Sequence, residues 1–345
     1  MNRKATLKDI AKDAGFSVTI TSRALGNYGS VSPATRQVVL ASAKKLGYKP
    51  NIIARSLRSG ITKAIGIMVN SVTDSFWMTL FKGIEETLIK EGYQVFLCDG
   101  EDGDPEKERL NLEMLIERNV DGVILSPSVG THEFLIELSQ GGLPIVLIDT
   151  RITGHSGYSV TIENRVGAEK AVNHLVELGH RDIAIVHGGH FGATSEERLG
   201  GYLSTLKQHG IKVRRDLIRT GNYRQDVAKK AVDELLSLSS PPTAVFVCNE
   251  SMTAGALQSL KEKRRRIPED ISIVGWDSPE WAGFMSPGLT VVDPGSRRMG
   301  VIASEMLLEQ ICGAGGIKCT GRNSIDREFA VVPELIVRES CRRTG

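Results

Sequence analysis

The sequence predicts an N-terminal all-α helix-turn-helix head joined to an α/β body of two doubly wound parallel-sheet lobes. Three observations carry this fold class. The first sixty residues are strongly basic and are punctuated as three short helices. The remainder alternates apolar runs of strand length with amphipathic segments of helix length. That alternation passes through two cycles, and 345 residues are enough for two or three domains.

The charge split is sharp. Residues 1–60 hold eleven Lys/Arg and two Asp/Glu, a balance of +9 within a chain whose net charge is only +2. A cationic head on a slightly acidic body is expected to meet a polyanion. Thr6 and Asp9 have the spacing of a capping box, which satisfies free backbone N–H groups at a helix start. Leu7, Ile10, Ala11 and Ala14 then form one apolar stripe. Gly15 ends this helix, because glycine tolerates the left-handed conformation that a tight turn requires. Ser17 can cap the second helix, which runs to about Leu25. Ser32 with Pro33 behind it starts a third, with Val39, Ala43 and Leu46 as its stripe and Gly47 as its stop. Helix, glycine turn and helix make a helix-turn-helix. The following segment, NIIARSLRSG at 51–60, offers Asn51 as an N-cap and Gly60 as a stop, but two helical turns are marginal alone.

From Ala64 onward AIGIMVNS, YQVFLC, VDGVILSPS and PIVLID read as buried parallel strands, separated by helices at 76–91, 105–118 and 131–140. A second cycle has DIAIVHGG, TAVFVCN and ISIVGWD as strands, with helices near 164–178, 194–209, 224–237 and 251–263. A late helix at about 297–312 and the strands of REFAVVPELIVRES complete the two lobes. Ligands of such sheets bind at the carboxyl ends of the strands, here in a cleft between lobes.

Composition narrows the function classes. No apolar run approaches the roughly 18 residues that span a bilayer, and no apolar segment follows the basic start. A cytoplasmic location without membrane attachment is therefore expected. Cys98, Cys248, Cys312, Cys319 and Cys341 are odd in number and contain no CxxC pair, which argues against a disulfide framework and a zinc site. There is no Walker loop, GxSxG or HExxH, and GGHFGA at 188–193 is neither GxGxxG nor a P-loop. His187 and His190 lack an evident third metal ligand, and Arg264–Arg266 read as a solvated helix end. No enzyme, cofactor or metal site is expected.

TLKDIAKDAGFSVTITSRAL, VSPATRQVVLASAKKLGYKPN and ARSLRSG, in that order, resemble the head and linker of the LacI/GalR (lactose-repressor) family of bacterial transcription regulators. The resemblance implies that 17–25 is the recognition helix entering the DNA major groove. Val18 and Thr19 would then meet base edges, and Arg23 guanine O6/N7. Ser17, Asn27, Ser30 and Arg36 would position the protein on phosphates. In the linker, the resemblance implies paired hinge helices in the minor groove, with Leu57 as an apolar wedge. Ala54 is small where those helices meet, Arg55 and Arg58 approach phosphates, and Asn51 completes the implied DNA-binding set.

One departure stands out. The family usually places threonine then valine where this chain has Ile20 and Thr21. Thr21 joins Ala24 and Leu25 on the inward stripe, and its hydroxyl is expected to bond the Ser17 carbonyl four residues back. Ile20 then faces the DNA backbone with no hydrogen bond to offer, which predicts weaker docking or a modified operator preference.

The body resembles the periplasmic-binding-protein-like core of the same family, to about Ser340. The expected divisions are a head at 1–50, a hinge at 51–60 and an effector-binding core at 61–340. Lobe one is expected over about 61–161 and 290–324, lobe two over about 162–289 and 325–340. Positions matching effector contacts are Asp74, Phe76 and Trp77 in DSFW, Asp149, Glu163 and Asn164, Arg198, Asn249, Asp277 and Asp293. Carboxylates, a guanidinium fork and aromatic faces suit a polyhydroxylated ligand such as a sugar. Asp74 and Asp293 stand where asparagine and glutamine are common, which leaves the exact sugar open and admits an amine-bearing ligand.

The function implied is a transcriptional repressor whose affinity for pseudo-palindromic double-stranded operator DNA is set by a small effector, a sugar, between the lobes. No leucine heptad tail follows the core, so a homodimer is expected. A purine-like ligand or a protein co-regulator is the alternative within the family. From other classes, a cytosolic sugar-binding protein or an enzyme with an accessory DNA-binding head would share the body, and a nonspecific DNA binder would share the head.

Overall fold

The computed structural model describes residues 5–26, 30–48, 60–101, 103–128, 130, 132–155, 157–189, 192–314 and 327–344. The readings made for Asn27, Asn51, Ala54, Arg55, Leu57, Arg58, His190 and Cys319 fall outside them. The chain divides into two compact units, Met1–Thr62 and Lys63–Gly345.

In the first unit α1 (Leu7–Ala14), α2 (Val18–Gly26) and α3 (Pro33–Lys45) follow one another. The Thr6 N–H donates to Asp9 Oδ2 at 2.8 Å, and the Asp9 N–H donates to Thr6 Oγ1 at 3.4 Å, closing the capping box. Gly15 takes φ +73°, which lets the Phe16 N–H reach the Ala11 carbonyl at 3.0 Å. Ile10, Ala24, Val39 and Ala43 form a small core where the three helices meet. Asp13 ties α1 to α3, accepting from Lys45 Nζ and Ser42 Oγ at 2.7 Å each. Those two bonds hold its carboxyl below the ordinary range.

The second unit begins with β1 (Ala64–Val69), α4 (Ser75–Lys90), β2 (Gln94–Asp99), α5 (Pro105–Glu117), β3 (Gly122–Leu125), α6 (Glu133–Gln140), β4 (Ile145–Ile148) and β5 (Tyr158–Ile162). It continues with α7 (Asn164–Glu177), β6 (Ile183–His187), α8 (Ala193–Gln208), β7 (Ile218–Thr220), α9 (Gln225–Leu236), β8 (Ala244–Val247), α10 (Glu250–Glu262), β9 (Ser272–Trp276), α11 (Glu280–Phe284) and β10 (Thr290–Asp293). Then come α12 (Ser296–Ala314), β11 (Glu328–Val331) and β12 (Glu334–Ile336). One six-stranded sheet has the order β11-β5-β4-β3-β1-β2, the other β12-β10-β9-β8-β6-β7. All pairings are parallel except β10 with β12, an antiparallel edge. Strands β3, β4, β6, β8 and β9 are buried along their whole length because helices cover both faces, which explains their unbroken apolar runs. Helices α4 and α12 touch through glycines. A Cβ on Gly83 would fall 2.2 Å from the Arg297 carbonyl oxygen, and one on Gly300 would fall 2.1 Å from that of Leu80.

The strand assignment corrects two lobe boundaries. β10 pairs with β9, so 290–293 belongs to the second sheet, not to lobe one. β11 pairs with β5 in the first sheet, so 328–331 is not part of lobe two. The chain changes sheets after β5, after β10 and again at Pro333 between β11 and β12. An apolar run such as FAVVPELIV carries no mark of that last switch. The sequence reading also misses the short elements β5, β7, β10 and α11. Cys98, Cys248 and Cys341 are free.

Candidate functional site

Helix α2 is capped by Ser17. Its Oγ accepts from the Ile20 N–H at 3.2 Å, and its carbonyl accepts from the Thr21 N–H at 2.9 Å. Thr21 and Ala24 face the core, which leaves Val18, Thr19, Ile20 and Arg23 exposed. The inward hydroxyl does not find the partner expected of it. Thr21 Oγ1 is fully buried and unpaired, and the Ser17 carbonyl is taken by the backbone instead. Ser30 is exposed, and Arg36 is half-buried on α3 with its Nε unpaired.

The effector candidates come from loops and helix starts at the carboxyl ends of both sheets. Asp74 precedes α4 and accepts from the Phe76 N–H at 2.9 Å, a capping role. Phe76 and Trp77 are buried and meet edge to face, centroids 4.7 Å apart. Asp149 closes β4 and Asp277 closes β9, both at positive φ, +68° and +73°, a conformation costly for an L-residue and concentrated at ligand sites. Asp277 accepts from the Glu250 N–H at 3.0 Å, at the start of α10. Asn249 caps α10 through the Met252 N–H at 2.8 Å.

Arg198 lies at the centre, only 5% exposed. Its Nε donates to Asn164 Oδ1 at 2.9 Å, its Nη1 to the Cys248 carbonyl, and its Cζ sits 3.9 Å from the Trp276 ring centroid. Asn164 is itself held by the Ile162 carbonyl at 3.2 Å and Glu197 at 3.1 Å. Asp293 accepts from the Gly295 N–H at 2.8 Å and lines a cavity of about 140 Å³ with Ser75, Phe76 and Asp277. Glu163 is exposed and its carboxylate does not cap α7. His187 meets Ser195 Oγ at 3.1 Å, and no group of three metal-ligating side chains occurs among the described residues.

Charges from the two lobes face each other here. Burial raises the Asp74 carboxyl to about 6, with Glu250 and Asp149 adding repulsion against the pull of the Phe76 N–H and Arg198. Asp277 is raised well above the carboxylate range by burial and then by Asp74. Burial also raises Asp149, which Arg198 partly offsets. A direct bond joins the lobes in this cluster: Ser75 Oγ at the start of α4 donates to Glu250, whose other oxygen accepts from Trp281 Nε1 at 2.9 Å.

Residues 6–51 match the family of bacterial regulatory proteins, lacI family, and residues 172–341 match the periplasmic binding protein-like domain. The HTH-type transcriptional repressor PurR of Pasteurella multocida is 32% identical over 342 residues, 98% of this chain and 99% of the relative. Its counterpart in Vibrio vulnificus is 33% identical over 340 residues with the same coverage. The chain belongs to the LacI family. Among solved structures, the lac repressor dimer bound to operator and the anti-inducer ONPF matches with a TM-score of 0.84 at 25% identity, covering 99% of this chain and 100% of that one. The complex of the regulator CelR with cellobiose matches at 0.72 and 28%, covering 97% and 99%.

This LacI-family chain is a DNA-binding transcriptional repressor. Sequence reasoning missed Ser75, Glu250, Trp281 and Tyr223 in its cleft. Glu250 directly follows Asn249 and could have been taken with it. Trp281 lies on α11, whose five residues are too short to show a period. Tyr223 sits at φ +57°, and its ring covers Gly188 so closely that a Cβ there would fall 2.2 Å from it. Only that packing reveals it.

Proposed function

We propose that this repressor binds its operator as a homodimer and that a small ligand held between the two sheets sets its DNA affinity. The observation that carries the control is the cleft's dual ownership. Asp74, Ser75 and Asp149 come from the first sheet's side, while Arg198, Glu250 and Asp277 come from the second. A ligand touching both sides changes affinity with lobe closure, and linkage makes its effect on DNA binding equal to the effect of DNA on its own binding. For the ligand, the near full-length likeness to PurR repressors supports a purine-like ring. Buried carboxylates and a stacked guanidinium suit its N–H and ring acceptors. The sugar expected from the sequence keeps support from the likeness to the CelR–cellobiose complex.

A thermal-shift panel tests the choice, since a ligand specific to the native state raises its stability by mass action. Purine bases and nucleosides, pentoses, hexoses and disaccharides are the probes. A shift with the purines alone, abolished in Arg198→Ala and Asp277→Ala, is the expected result. A shift with sugars alone replaces the purine reading, and a flat panel with intact operator binding overturns ligand control by either class.

A further inference from the structure

We infer that the first turn of α2 selects its operator through thymine 5-methyl groups, with Val18 and Ile20 as the methyl-reading side chains. The inference rests on α2 being the helix that enters the major groove. The roll of this helix is set by what it buries: Thr21 and Ala24 lie against the head's core, so the opposite side carries Thr19 and Arg23. Val18 and Ile20 flank Thr19 and remain 41% and 37% exposed, with no core to fill, and Ile20 is assigned here to the bases rather than to the DNA backbone that the sequence alone suggested.

The chemistry of that turn is unusually narrow. Recognition of adenine or guanine in the major groove rests on paired hydrogen bonds from Asn, Gln, Arg or Lys, and cytosine is read by an acceptor. Positions 18 to 20 hold two hydrocarbon side chains and one hydroxyl, and the capping hydroxyl of Ser17 already accepts from the Ile20 N–H at 3.2 Å. None of these groups pairs two bonds with a purine edge. The feature hydrocarbon side chains do distinguish is the 5-methyl of thymine, an apolar group on the groove floor. Arg23, one turn later and exposed, supplies the paired donors that select guanine. The head's balance of +9 brings the helix to the duplex without regard to sequence, so base preference at the first turn falls to these contacts. The exchange of a hydroxyl for an isoleucine at position 20 thus changes what is read.

The test uses the full-length protein. An operator is selected from a random duplex pool, and each thymine in it is then replaced singly by deoxyuridine, which removes the methyl and nothing else. Two replacements per half-site are expected to raise Kd roughly fourfold each, the effect of removing one buried methyl group from water-free contact. In Val18→Ala one of these penalties disappears, and in Ile20→Ala the other. A selected operator whose Kd stays within about twofold at every deoxyuridine position overturns the inference, as do alanine variants that keep both penalties. Failure to enrich any sequence would instead overturn the reading of α2 as the recognition helix.

Discussion

The candidate reading face of the head lies on one helix of nine residues, whereas the cleft collects Asp74, Asp149, Arg198, Glu250 and Asp277 from five separate segments. Among the described residues, the head packs a core cluster of four buried apolar residues and leaves one hydroxyl unpaired within it. The body, with a far larger core, accommodates a buried arginine and several carboxylates that repel one another. A small core gains little from each contact, so a single orphan polar group weighs heavily there. A large one can hold costly groups where a ligand is to be recognised, because many other contacts offset them.

Three substitutions sharpen that contrast. The largest effect is expected in the body's scaffold. Gly83→Val drives a side chain into the Arg297 carbonyl at the α4–α12 contact and should cost about 3 kcal/mol, read as a lower urea midpoint. An unchanged midpoint would mean that the two helices can move apart freely.

Next comes the cleft. The Asp74 carboxyl is raised from 3.8 to about 6 in the fold, so its favourable contribution is whole below about pH 4 and is lost as pH rises through about 6. Asp74→Asn removes that loss and should stabilise the protein at pH 7.5 by on the order of 2 kcal/mol, with little gain at pH 4. Equal stability of the two proteins at both pH values would show that Asp74 carries no buried-charge penalty.

The smallest effect belongs to the head. Thr21→Val replaces an unpaired buried hydroxyl by a methyl and should stabilise the three-helix unit by about 1 kcal/mol. Slower hydrogen exchange of the α1–α3 amides would register the gain. Faster exchange would mean that the hydroxyl has a native partner.

Much of this was legible beforehand. Capping at Thr6, Ser17 and Ser32 and the glycine turn at Gly15 follow from rules that act within four residues, and the head's helices formed accordingly. The long apolar runs announced the central strands for the same local reason. The cleft was only partly readable. Arg198 and Asp277 could be named from their motifs, but nothing near Asp74 in the chain says that Asp277 will face it.

The sequence by itself therefore determined the helix-turn-helix, which side of its second helix is exposed and the presence of two strand–helix cycles. Tertiary structure alone decided that β10 joins the second sheet and β11 the first, that Ser75 meets Glu250, and that the Thr21 hydroxyl has no partner. Helix caps and periodicities are properties of neighbouring residues. Sheet membership, burial of charge and satisfaction of a hydroxyl depend on which distant segments pack against them, and those contacts exist only once the chain has folded.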